Sequence, residues 1–329
     1  MRKQVIILLM LAVMPAMVFG QRRSSSFTPE DYHFFYVSGS AGFHSLDQNV
    51  SVTTPQGSAR MLSLGGWGAL GGIGYEFRIA SFWLSVGAQY QHVHSWSRAD
   101  QFQYMNDSRD PNDQTSTWGL DTQNKPALFS YRVDQEEQTD WNFGEVPLMV
   151  GYYLRGFYIG AGAKIGFPFS TSGSTKGSYG LSAYYPEFYG HFENMEEHAY
   201  GNYEFSSTME TKMEPQWSIL GEVGYDVLSH VGTRADICHV LKVGAYFEYG
   251  LNTAVRVSDP SRHIVLFPNE NEQTSNATEV QINPYYSSGV KQGDRIVPYY
   301  VGVKLTYMIG GSSRGGSGTF HHGCKCYEM

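Results

Sequence analysis

The sequence predicts an all-β fold, an eight-stranded antiparallel transmembrane β-barrel with long extracellular loops. The first observation behind this is the stretch 144–167, GEVPLMVGYYLRGFYIGAGAKIGF, where side chains alternate in character on both sides of Leu154-Arg155-Gly156. Period-two alternation over roughly ten residues per arm, broken by a tight turn, reads as an antiparallel hairpin. The second is what alternates. Val146, Leu148, Val150, Tyr152 and Leu154, then Phe157, Ile159, Ala161, Ala163, Ile165 and Phe167, make an apolar face; the opposite face mixes glycine with Glu145 and Lys164. A water-soluble sheet turns its charges toward bulk solvent, whereas charge beside glycine suits a crowded interior. Apolar outside and polar inside is the pattern of a membrane-spanning barrel. The third is rhythm: connections after odd strands are long and those after even strands short, as outer-membrane barrels require.

Composition agrees. Of 329 residues, 16% are charged and 15% aromatic, with 37 glycines and 24 tyrosines. Mean hydropathy is -0.33. Helical membrane spans need about twenty consecutive apolar residues, which the chain lacks. Its longest apolar run, 5–13, follows Arg2 and Lys3 and leads to Val18-Phe19-Gly20. That reads as a signal peptide over 1–20 with Gln21 as the mature start, and no cysteine nearby suggests a lipid anchor. A net charge of -8 argues against nucleic acid as a partner.

In chain order, 21–31 is a polar, flexible lead and the barrel spans 32–309. Strand one is 32–43, with Phe35, Val37, Gly39, Ala41 and Phe43 outward. Residues 44–64 are polar with no strand expected. Strand two is 67–77, with Trp67, Ile73, Tyr75 and Phe77 outward and Glu76 inward; strand three is 82–92, with Phe82, Leu84, Val86 and Tyr90 outward. A polar segment, 94–140, precedes the hairpin of strands four and five, and another, 170–214, follows it. Strand six is 217–227, with Glu222 and Asp226 inward. Strand seven is 240–251, with Lys242, Tyr246 and Glu248 inward. A third long loop, 252–295, precedes strand eight, 297–309, where Lys304 points in. A Gly/Ser-rich tail, 310–329, ends the chain. Both termini are expected in the periplasm of an outer-membrane protein. Outward aromatics near strand ends, such as Trp67, Phe82, Tyr90, Trp217, Tyr225, Tyr299 and Tyr307, suit interface girdles.

The expected interior charges are Glu76, Glu145, Lys164, Glu222, Asp226, Lys242, Glu248 and Lys304, with Arg78 beside them. An eight-stranded barrel is just wide enough to be filled by side chains, and buried charges must pair. A salt-bridge network plugging the lumen follows. A narrow ion path is the alternative. In the loops, Tyr179, Tyr184, Tyr185, Tyr189, Tyr200 and Tyr203 serve either as binding residues or as a self-packed cap. No catalytic residue, metal site or cofactor is expected. His191 and His198 match no metal-ligand spacing, and His92 and His94 beside Ser95 would need an acid to form a hydrolase triad. Cys238 falls in a short turn beside the exit of strand eight, so a disulfide to Cys324 or Cys326 is expected.

Glu145-Val146-Pro147-Leu148 opens a strand with E-[IV]-P-L, and Tyr300–Tyr307 ends the barrel with aromatic, glycine and alternating apolar residues. In these the chain resembles the Bacteroidota outer-membrane β-barrel family, the PorT-like and OmpA-like small barrels. The loops and the tail depart from the simplest members. The resemblance implies outer-membrane lipid as the surroundings and the barrel assembly machinery as a partner in biogenesis. The expected role is non-enzymatic, structural or in surface interaction. The alternatives are a component of a secretion or envelope-assembly complex touching other envelope proteins, a channel, and a lipid A-modifying enzyme.

Overall fold

The computed structural model describes residues 31–54, 57–105, 119–120, 126–154, 156–185, 190–193, 202–231, 238–258, 265–266 and 281–312. Eight antiparallel strands carry the fold: β1 (Asp31–Asn49), β2 (Gly57–Ile79), β3 (Phe82–Met105), β4 (Pro126–Leu154), β5 (Phe157–Tyr185), β6 (Gln216–Val231), β7 (Cys238–Gly250) and β8 (Arg295–Ser312). Each pairs with the next, and β8 returns to β1 from Tyr32↔Ser312 to Asn49↔Arg295, closing a ring of hydrogen bonds. Closure satisfies the backbone groups that an edge strand would leave open. A further strand, Asn202–Glu210, pairs with β5 outside the ring.

The side chains sort by parity. Phe35 is 71% exposed, Ile73 64%, Ile159 60% and Val303 59%, all outward. Across 35–43, 67–79, 82–90, 145–154, 157–167, 217–227, 241–251 and 301–309, no outward position carries Asp, Glu, Lys or Arg. The inward positions of the same stretches hold Glu76, Arg78, Glu145, Lys164, Glu222, Asp226, Lys242, Glu248 and Lys304, all buried. This outward apolar zone is called the belt below.

Inward glycines make room for inward aromatic rings. A Cβ on Gly151 or Gly160 would stand 2.4 Å from the Trp83 ring; on Gly224 or Gly244 it would meet the Tyr158 hydroxyl at 2.6 or 2.4 Å. Tyr36 uses Gly74 and Gly87 in the same way. Each ring therefore lies in a slot between strands. At the β4–β5 turn, Gly156 adopts a φ of 87°, a conformation that costs a side chain about 1–2 kcal/mol.

The polar stretches 44–64, 94–140 and 170–214, expected to lack strands, hold long strand extensions instead. Pairing of β3 with β4 runs on to Met105↔Ser130, and that of β4 with β5 to Leu128↔Tyr184. Together with Asn202–Glu210 they raise a wall beyond the ring. Here the pattern inverts: Val93, Ala99, Val133, Trp141 and Tyr179 are buried on the inner face, while Arg98, Asp134, Glu136 and Lys176 lie outside. One register shift, at Ala99/Phe102, lies within the wall, and two bulges, at Ser63/Gly65 and Asn142/Phe143, mark the change. The last leaves Phe169 unpaired and flips the parity of β5. Without an apolar outward row, these extensions read as loops.

Candidate functional site

The ring interior holds nine buried charged side chains. Nearest the short turns, Glu76 receives Lys242 Nζ at 2.8 Å and Arg78 Nε at 2.6 Å. Tyr153 donates its hydroxyl to the same carboxylate at 3.2 Å, and Arg78 reaches Asp226 at 3.9 Å. The Arg78 guanidinium also lies over Phe34 and Tyr153, 4.6 and 4.1 Å from their ring centroids. Guanidinium is planar and weakly hydrated, so it tolerates this sandwich better than an ammonium would. Beside this cluster, Glu222 accepts from Lys304 Nζ and from the Tyr158 hydroxyl, both at 2.8 Å.

One layer further along, Lys164 sits between Glu145 at 2.7 Å and Glu248 at 2.6 Å. Its ammonium gives a third hydrogen bond to Gln91 Oε1 at 3.1 Å. Gln89 donates to Glu145, and Ser218 and Gln91 donate to Glu248. The three ammonium donors are thus all used, and each carboxylate has a second partner. Buried ions demand this, since an unpaired one would pay several kcal/mol in lost hydration. All eight interior charges expected from the sequence therefore lie inside the ring, spread over two layers, with Trp83, Tyr246 and Tyr300 filling the space between.

Above the ion layers the interior turns apolar. The segment ahead of β8 dips into the wall and forms one helical turn, Tyr285–Ser288, buried throughout. Glu137 of β4 holds that turn: its two oxygens accept the backbone N–H groups of Tyr285 and Tyr286, each at 2.8 Å. Burial pushes the Glu137 carboxyl up to about 8, against the lowering pull of the two N–H groups. The Tyr286 hydroxyl bonds Gln48 at 2.6 Å and Ser97 at 2.7 Å. Trp141, Met61, Ile296 and Val290 pack around the turn. No local signal in 252–295 announces this plug, although Pro284-Tyr285-Tyr286 is an apolar island in a polar segment.

Other singled-out residues separate. His94 meets Asp140 at 2.5 Å and His92 meets Asn142 at 2.8 Å, both on the outer face. Ser95 points inward to His44 at 2.6 Å, with both residues buried. The structure therefore does not unite Ser95 with His92 or His94. Tyr179 and Tyr185 are buried in the core of the wall with Tyr203 packed against it. Tyr184 pairs through its backbone with Leu128 in the β4–β5 ladder. His191 lies in a short strand, Gly190–Glu193, its backbone paired with Tyr184. The segment 1–20 expected as a signal peptide, the lead 21–30, the tail beyond 312, Tyr189, Tyr200, His198, Cys324 and Cys326 fall outside the described residues. Cys238 is disulfide-bonded. No family model matches the chain, and no curated protein matches it either.

Proposed function

We propose that the chain is an integral outer-membrane β-barrel whose lumen is closed by the ion layers and by the Tyr285–Ser288 plug. In this reading it is non-enzymatic and works through the wall it raises above the membrane. The observation that carries the reading is the separation of charge: none outward across the belt, nine charged residues inward. In water such an outer surface would be a large aggregation-prone apolar patch; against acyl chains it is the favourable arrangement. The belt also has the right height. At about 3.3 Å per residue and a strand tilt near 40°, residues 35–43 and 67–79 cover roughly 20 and 30 Å, around the band of about 25 Å typical of such barrels.

The order of the chain fits as well. The short turns after β2 and β4 would face the periplasm, with both termini, and the wall would face the exterior. The closing strand, with Tyr300, Gly302 and Tyr307, suits handling by a barrel assembly machinery, in keeping with the resemblance to small Bacteroidota barrels. Two measurements test the proposal. Protein extracted in detergent should migrate differently in gels before and after boiling, and in planar bilayers it should give no steady single-channel steps. A chain that stays folded and dispersed in plain buffer overturns the membrane assignment; large regular conductance overturns the closed lumen.

A further inference from the structure

The outer face of the wall carries two adjoining hollows of about 570 and 300 Å³ that share Glu136, Lys176 and Ser206. Their side chains stand in rows fixed by strand register. Trp96 faces Gln138, which faces Ser174, which faces Thr208; one row further from the belt, Arg98, Glu136, Lys176 and Ser206 follow in the same order. Neighbouring strands are about 4.8 Å apart, so polar groups repeat across the hollow at a spacing close to one pyranose unit. Trp96 stands at one end, 42% exposed. Its indole is held rather than loose: His94 meets it edge-on at 4.3 Å, His94 is fixed by Asp140 at 2.5 Å, and Trp67 stacks on the far side of His94 at 6.0 Å. A rigid exposed indole loses little entropy when a ligand stacks on it.

From this geometry we infer that the outer face of the wall is a saccharide-binding site, and that its occupant is the sugar portion of a glycolipid in the surrounding leaflet. A pyranose presents a flat C–H face to an indole and hydroxyl pairs to carboxylates, amides and ammonium groups, which are the groups in these rows. Arg98 and Lys176 are outnumbered by Asp134, Glu136 and Glu204 in the larger hollow, so a bare phosphate or polyanion is disfavoured. The Trp96 row of the smaller hollow is the nearer of the two to Tyr90, the last outward belt position on β3, which puts the site just beyond the belt, at the height of sugars attached to belt-bound lipid. The choice of a membrane-anchored source rests on the barrel reading given above; sugar binding itself does not.

The test has two arms. In the first, deacylated and dephosphorylated lipopolysaccharide oligosaccharide is titrated calorimetrically into detergent-solubilised protein. Trp96→Ala is expected to weaken binding at least tenfold, Trp96→Phe no more than threefold, with the gel shift on boiling unchanged in both. No binding by the parent protein, or equal binding by Trp96→Ala, overturns the site. In the second, hydrogen exchange of 96–98, 136–138 and 174–176 is compared in phospholipid nanodiscs with lipopolysaccharide and with lipid A, which lacks the distal sugars. Protection with lipopolysaccharide alone supports the glycolipid source; equal protection by lipid A overturns it. Protein that binds the oligosaccharide but does not enter nanodiscs overturns the barrel reading and leaves the site standing.

Discussion

The belt and the wall are built from the same strands, yet their patterns are opposite. In β4, Val146, Leu148 and Val150 face out while Glu145 and Met149 face in; ten residues earlier Glu136 and Asp134 face out while Val133 and Trp141 face in. Backbone geometry is the same on both sides of the bulges. What differs is the medium each outer face would meet. Hydrophobic burial is indifferent to direction, so in the proposed barrel a strand passing from lipid into water would exchange its faces. The interior follows: ion layers where the outside is apolar, an aromatic core and a tyrosine plug where the outside is polar.

The comparison breaks most sharply at Lys164. Lys164→Met leaves Glu145 and Glu248 buried without their cation and is expected to cost about 3–5 kcal/mol, whereas Lys176→Met on the wall should stay within about 0.5 kcal/mol. Urea titration of folding into detergent or lipid measures both. Equal costs would mean that the ion layer is hydrated. Next, Ile159→Arg in the belt should cost about 2–4 kcal/mol in a bilayer, against about 0.5 kcal/mol or less for Gln138→Arg on the wall. A tolerated arginine at 159 would mean that this face meets water.

Gly160→Ala sets a methyl against Trp83 and should cost about 1–3 kcal/mol through overpacking. The same titration reads it, and a shift of the tryptophan emission maximum would report displacement of the ring. The last case concerns the plug. Glu137→Gln keeps one acceptor oxygen but sets an NH2 against the other of the two N–H groups of Tyr285 and Tyr286, so at pH 6–7 it should cost about 1–3 kcal/mol. Its signature is the pH profile. The folded carboxyl titrates near 8 and the unfolded one near 4.5, so the folded state holds the extra proton between them. Its stabilising contribution is complete below about 4.5 and is lost as pH rises toward 8. Melting temperatures from pH 4.5 to 8.5 should therefore fall more steeply with rising pH in the parent protein than in the variant.

Most of the belt was legible because two independent signals coincide there, an apolar outward row and charges on alternate positions. The interior residues could be named for the same reason: Glu76, Lys164 and Lys242 stand out among glycines and apolar side chains. The wall was not legible. Its outward rows are polar, as loops are, and the bulge at Phe169 breaks the count that would have carried β5 past Ser170. Val133, Gln135, Glu137, Thr139 and Trp141 do alternate with polar neighbours, but three of these five inward side chains are themselves polar. Which carboxylate each lysine meets, and that Tyr285 and Tyr286 fold back onto Glu137, are long-range facts with no trace in local spacing.

The paired glycine slots constrain how the sheet can assemble. Trp83 on β3 needs the gaps at Gly151 on β4 and Gly160 on β5 at once, and Tyr158 on β5 needs Gly224 on β6 and Gly244 on β7. Sliding any of these strands by two residues keeps every side chain on its proper face, so polarity alone cannot reject the error. The rings can: a misaligned neighbour presents a side chain where a void is required. Aromatic keys and glycine keyways thus discriminate among alignments that hydropathy treats as equivalent, and they do so across three consecutive strands at a time.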